Sequence, residues 1–246
     1  MSALRFSLIF LVLAALTVPG CKSKGGGRPK VAVSICPVYD LVRRVAGPDA
    51  DVTLVLPPGK SEQGFVPTPN DALQVSQAKL GVMVGLDLDS WMEALMRDAA
   101  PTARVLKVGD RVPTLTVKDD AGADRIDPYV WLDPQRARLM VKAIGEEMAR
   151  VDASHATKYR QRANEVDASI EALDKEIEQA TASWKKRAFV TPGPTFGYFA
   201  ERYKLAVVAS APRVDVDPMG GGAETDSYEK LIRYDVAQLA RVLATP

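Results

Sequence analysis

The residues able to do chemistry are few, and their types restrict what the chain can be. It contains one histidine, His155, and two cysteines, Cys21 and Cys36. A tetrahedral zinc centre built from several imidazoles is therefore excluded, as are a disulfide framework and a four-cysteine cluster. His155 lies in the polar stretch Asp152-Ala-Ser-His-Ala-Thr157, at the start of a long helical pattern. A solvated residue near a helix N-terminus is the simplest reading there, and it disfavours a Ser-His-Asp or Cys-His device. Gly59-Lys60-Ser61 resembles the end of a phosphate loop, but the earlier glycine such a loop requires would fall at Leu54. Gly220-Gly221-Gly222 lacks the spacing of a dinucleotide site and reads as a flexible loop. Trp91, Trp131 and Trp184 lie in or beside apolar patterns and read as core. The expectation is a protein that is not an enzyme.

Residues 1–20 carry one charge, Arg5, followed by the apolar run Phe6 to Val18. That run is too short for a spanning helix, which needs about 20 residues, but suits the core of a signal peptide. It ends in Val18-Pro-Gly-Cys21, which resembles a bacterial lipobox and marks Cys21 for lipidation; a buried or free thiol is the alternative. Residues 21–29, rich in lysine and glycine, read as a lipidated tether. With 32 Lys+Arg against 31 Asp+Glu, loss of Arg5 leaves the mature chain with no net formal charge and no basic excess to hold nucleic acid. The 47% hydrophobic and 26% charged content is ordinary for a globular body.

From Lys30 onward, short β-branched runs alternate with helical stretches. Strands are expected at 30–35, 51–56, 80–84 and 103–108, with helices at 37–46, 70–79 and 90–100, the last N-capped by Ser90. Continuous apolar strands separated by helices imply a parallel sheet covered on both faces. Residues 109–126 read as an Asp-rich loop, and 135–150 as a helix. From His155 to Lys185, apolar residues at Tyr159, Ala163, Val166, Ile170, Leu173 and Ile177 recur at alternating spacings of three and four. That stripe predicts a long straight helix with one narrow buried seam, which we read as connecting two βα regions. Strands at 188–191, 206–210 and 213–216, a helix at 195–203 and an amphipathic helix from 226 to 243 complete the chain. Ser210 to Arg213 leaves no room for the crossover that parallel neighbours need, so an element is missing or those two strands are not neighbours.

Several segments carry a family resemblance. Ser34-Ile-Cys-Pro-Val-Tyr-Asp-Leu-Val42, Leu54-Val-Leu-Pro-Pro-Gly59, Pro67-Thr-Pro-Asn-Asp71, Phe196-Gly-Tyr-Phe-Ala200 and Val216-Asp-Pro-Met-Gly220 resemble the solute-binding lipoproteins of bacterial zinc and manganese ABC importers. So does Asp127-Pro-Tyr-Val-Trp-Leu-Asp-Pro134, where the family has His in place of Tyr129. The resemblance implies an α/β fold of two βα lobes with parallel sheets, joined by one long helix. The C-terminal lobe is truncated, because the family has further helices and strands between Ser210 and Arg213.

The implied domains are a signal peptide (1–20), a lipidated tether (21–29), an N-terminal lobe (30–151), a connecting helix (152–187) and a C-terminal lobe (188–246). The implied ligand is a divalent metal, zinc or manganese, captured between the lobes of a periplasmic or cell-envelope monomer and delivered to an ABC permease. The family's three histidine positions correspond to Gln63, Tyr129 and Gly193, and its acidic ligand to Asp217. The implied metal-site residues are thus Asp217, Gln63 and Tyr129, with Glu62 as a second carboxylate. Cys36, at the end of the first strand, is a possible soft ligand or a small buried hydrophobe. Gln63 and Tyr129 could instead form a cleft that hydrogen-bonds without metal, and Asp217 could be a turn residue before Pro218. An oxygen-rich set with one firm carboxylate favours hard cations and binds weakly. The alternative function is a degenerate family member that binds no metal and serves as an envelope scaffold.

Overall fold

The structure, a computed structural model, describes residues 27–118, 122–191, 193 and 195–245. The signal segment and Cys21 lie outside the described residues, as do Asp119 and Asp120.

The N-terminal lobe is built on four parallel strands: β1 (Lys30–Val33), β2 (Asp51–Leu54), β3 (Ala78–Met83) and β4 (Arg104–Lys107), in the order β2-β1-β3-β4. Alternation of side chains assigns each strand to two cores. Val31, Val33, Leu80 and Val82 point into the larger one. Ala32 and Met83 face the smaller one, made with Val75, Met92 and Met96. Helices α2 (Pro69–Val75) and α3 (Ser90–Ala99) cover that second face, while α1 (Cys36–Ala46) and α4 (Pro134–Val151) cover the first. In α1, Val38, Leu41, Val42 and Val45 are fully buried. Each such side chain stabilises the fold by about 1.5–3 kcal/mol.

Helix α5 (Ala156–Ala182) is 27 residues long, about 40 Å at 1.5 Å per residue. Tyr159, Ala163, Val166, Ile170, Leu173 and Ile177 form its buried seam. It packs on α4 and α1 of the first lobe and on α7 (Tyr228–Leu243) of the second. At Gly145 the two helices α4 and α5 pass close together, and a Cβ there would stand 2.6 Å from Ala163 Cβ.

The second lobe is small: β7 (Ala188–Phe189), α6 (Gly197–Arg202), β8 (Ala206–Val207) and α7. β7 pairs in parallel with β8, and Val190 bridges Arg213, also in parallel. The short link from Ser210 to Arg213 therefore joins two segments that lie on opposite sides of β7 and need no crossover helix between them.

Several local expectations are corrected. Residues 213–216 form only that bridge, because Pro212 precedes them and the pairing ends at Val214. The 109–126 stretch contains an antiparallel hairpin, β5 (Thr116–Lys118) and β6 (Asp124–Ile126). The second helix ends at Val75, and β3 takes Ala78 and Lys79. Asp89, not Ser90, precedes α3, and its carboxylate accepts from the N–H groups of Val84 and Gly85 at 2.8 Å. His155 is paired rather than merely solvated: Nδ1 lies 2.7 Å from Asp152 and Nε2 3.5 Å from Asp49. Gly220–222 is not loose, since the Gly221 N–H donates to the Thr225 carbonyl at 2.9 Å, the Thr225 N–H donates to the Gly222 carbonyl at 3.0 Å, and Gly221 sits where any Cβ would meet Cys36 Sγ at 2.7 Å.

Candidate functional site

Strand order reverses between β1 and β3, and ligands of open α/β sheets bind beyond the carboxyl ends of strands at such a point. The segments that leave those ends carry Cys36, the 85–88 turn, and, beyond β2, the loop containing Glu62 and Gln63. Leu86 and Asp87 have φ of 52° and 64°. Two consecutive non-glycine residues in this region carry backbone strain. It is offset by the Asp89 bonds to Val84 and Gly85, and by Leu86 packing over Gly109, where a Cβ would come within 2.7 Å.

Four of the expected site residues fall into two groups. In the first, Tyr129 and Glu62 are buried and the Tyr129 hydroxyl donates to Glu62 Oε1 at 2.9 Å. Gln63, exposed on its loop, lies beside the same phenol and slightly opposes its rise. Trp91 Nε1 donates to the Glu62 carbonyl at 3.2 Å and pins that loop to α3. Burial, reinforced by the Glu62 charge, pushes the Tyr129 phenol far above its ordinary value. It stays protonated and is a poor metal ligand. Next to it, Asp127 is fully buried; Oδ1 accepts from the Tyr129 N–H at 2.9 Å and Oδ2 has no partner. Burial pushes the Asp127 carboxyl up to about 7.

Asp217 belongs to the second group. Its Oδ1 accepts from the N–H groups of Met219 at 3.1 Å and Gly220 at 2.9 Å, and Oδ2 accepts from Thr225 Oγ1 at 3.2 Å. That is the geometry of a turn-forming carboxylate. Its own N–H donates to Asp235 Oδ1 at 2.7 Å. Burial, with a contribution from the Asp217 charge, raises Asp235 to about 8. Cys36 faces this group: its thiol is raised by burial and then by Asp217, and it touches the Gly221 turn. Trp131 Nε1 donates to the Pro218 carbonyl at 2.8 Å, so the Asp217 turn rests on the floor made by Tyr129–Leu132. Gly193, at the third histidine position, has no side chain to offer, and Pro192 and Pro194 lie outside the described residues. No group of three or more His, Cys, Asp or Glu able to hold a metal ion occurs among the described residues.

Residues 31–220 match the model of the family described as zinc-uptake complex component A, periplasmic. The chain belongs to this family. The manganese-binding lipoprotein MntA of Halalkalibacterium halodurans is 26% identical over 216 residues, covering 85% of this chain and 70% of the relative. The zinc-binding lipoprotein AdcA of Streptococcus pneumoniae is 24% identical and covers 92% of this chain, which spans only 48% of that longer protein. Among solved structures, a zinc-bound deletion mutant of ZnuA matches with a TM-score of 0.80 at 16% identity, over 89% of this chain and 100% of the other. The periplasmic zinc-binding protein TroA of Treponema pallidum matches at 0.79 with 18% identity, again over 89% and 100%. These two establish the shared fold.

Two elements of the site escape a reading of the sequence alone. The first is Asp235, which holds the Asp217 backbone; its signal was a carboxylate inside the apolar stripe of α7, between Ile232 and Leu239. The second is the β5–β6 hairpin. With Gln63, Tyr129 and the 86–88 turn it encloses a cavity of about 810 Å³.

Proposed function

We propose that this protein is the extracytoplasmic solute-binding component of a zinc- or manganese-type ABC importer, capturing a divalent metal between its lobes and delivering it to a permease. Membership of the zinc-uptake family over residues 31–220 carries this reading. The capture region is the crevice at the carboxyl ends of β1–β3, where Gln63, Tyr129 and Glu62 approach from the N-terminal lobe (30–151) and Asp217 from the C-terminal lobe (188–246). The connecting segment 152–187 sets the spacing of the lobes. The chain acts as a monomer, exported by residues 1–20 and held at the cell envelope through lipid on Cys21 and the tether 21–29. No helix among the described residues is long and apolar enough to cross a membrane.

The alternative is a family member that binds no metal and serves as an envelope scaffold. The two readings separate in cells. Deleting the gene should lower uptake of radiolabelled Zn²⁺ or Mn²⁺ under metal limitation, with recovery on re-expression; unchanged uptake of both would leave the scaffold.

A further inference from the structure

The donors around the crevice are badly suited to a bare ion. The Tyr129 hydroxyl is already engaged, donating its hydrogen bond to the buried Glu62 carboxylate at 2.9 Å. The Asp217 oxygens already accept three hydrogen bonds. Gln63 offers a neutral amide. A bare zinc ion is held by ligands about 2 Å away and needs no cavity of its own. Yet beside Gln63 and Tyr129 lies a space of about 810 Å³, within the range of pockets that enclose small organic molecules. Its walls alternate in character. Leu88 and Ile126 are apolar, whereas Gln63, Asp87 and Lys118 bring an amide, a carboxylate and an ammonium. The strained pair Leu86 and Asp87 shapes one side of it. The hairpin forms the other, with Lys118 paired to Asp124 at 2.5 Å.

We propose that the cargo is a preformed metal chelate: a small polar organic molecule already wrapped round its ion occupies this cavity, and Gln63 and Tyr129 hydrogen-bond the chelator instead of coordinating the metal. The proposal rests on the metal-capture reading above and names its substrate class. It reconciles a metal-uptake family with the loss of metal-binding side chains, because the chelator supplies the first coordination sphere. The protein then needs hydrogen-bond donors and acceptors round a roomy space, which is what this cavity on the N-terminal-lobe side of the crevice contains.

Mass action distinguishes the two forms of cargo. If the protein binds the bare ion, excess chelator competes for the metal and weakens binding; if it binds the chelate, excess chelator does not. The test is calorimetry and thermal-shift measurement on the mature chain, with aquated Zn²⁺ and Mn²⁺, with citrate and histidine alone, and with their zinc and manganese complexes. At least one complex should bind ten-fold or more tighter than the aquated ion and than its chelator alone. Ile126→Trp fills the cavity from a residue that is 46% exposed. It should weaken complex binding at least ten-fold while leaving the melting temperature of the free protein within a degree or two. Tighter binding of the aquated ion, stripped away by excess citrate, would overturn the chelate and leave metal capture standing. Chelate binding indifferent to Ile126→Trp would overturn the assigned cavity. Silence toward every metal form would overturn both readings.

Discussion

Tyr129 and Glu62, 67 residues apart in sequence, are joined by a buried hydrogen bond of 2.9 Å in which the phenol donates to the carboxylate. This contact fixes the loop after β2 to the segment before α4, and so sets one wall of the crevice. Removing the donor leaves a buried carboxylate without that bond, whose desolvation is then uncompensated. Tyr129→Phe should cost about 1–3 kcal/mol in urea denaturation. Glu62→Gln retains an acceptor and should cost less. Equal losses would mean the bond is not what holds the loop.

The last helix is tied to the first by charge. Arg44 reaches both Glu229 oxygens at 2.7 Å, Ser169 of α5 donates to Glu229 at 2.8 Å, and Asp40 accepts from the Tyr228 N–H at 2.9 Å. Because Glu229 is largely buried, Glu229→Ala removes the nearer partner of Arg44, leaving Asp40 at 3.7 Å, and should destabilise by about 1–3 kcal/mol. Lys230, one residue on, makes an exposed pair with Asp226. Lys230→Ala should stay within about 0.5 kcal/mol. Thermal melts of the two variants give the comparison.

Asp235 predicts a pH dependence. Its carboxyl is raised from 3.8 to about 8 by burial, so the folded chain holds a proton that the unfolded chain releases. Its contribution to stability is therefore greatest below about pH 4, falls as pH rises towards 8, and is level above that. Asp235→Asn keeps an acceptor for the Asp217 N–H and removes the titration. The variant should match wild type near pH 4 and exceed it at pH 8 by up to a few kcal/mol. Parallel stability curves across that range would contradict the assignment.

The α5 seam supports both lobes. Ile170 is fully buried, and Ile170→Ala should cost about 2–5 kcal/mol with loss of cooperative unfolding in both lobes together. Leu139 on α4 is 40% exposed, and its alanine variant should cost much less. Denaturant titration followed by tryptophan fluorescence would compare them.

What the sequence made legible is what repeats. The a/d stripe of α5 and the β-branched runs of β1 to β4 announce themselves because burial acts on many residues at a regular period. Single contacts do not. The hairpin at Thr116–Ile126 is three residues a side and carries no clear alternation, so it read as loop. The shortening of the C-terminal lobe at Ser210–Arg213 was legible, but not how the short link is accommodated: β7 stands between the two segments. At the site, family motifs located Gln63, Tyr129 and Asp217, but Tyr129 meets Glu62 across 67 positions and Asp217 meets Asp235 across 18, and only the fold reveals those pairings.

Capture of a metal-bearing solute by this crevice, as proposed above, should leave metal on the protein isolated from cells. Elemental analysis by mass spectrometry, on protein released from its native envelope without added chelator, measures that most directly. Close to one equivalent of zinc or manganese per chain is expected, reduced in a Gln63→Ala, Asp217→Ala double variant that remains folded. Folded wild-type protein carrying neither metal, recovered from metal-replete cells, would contradict it.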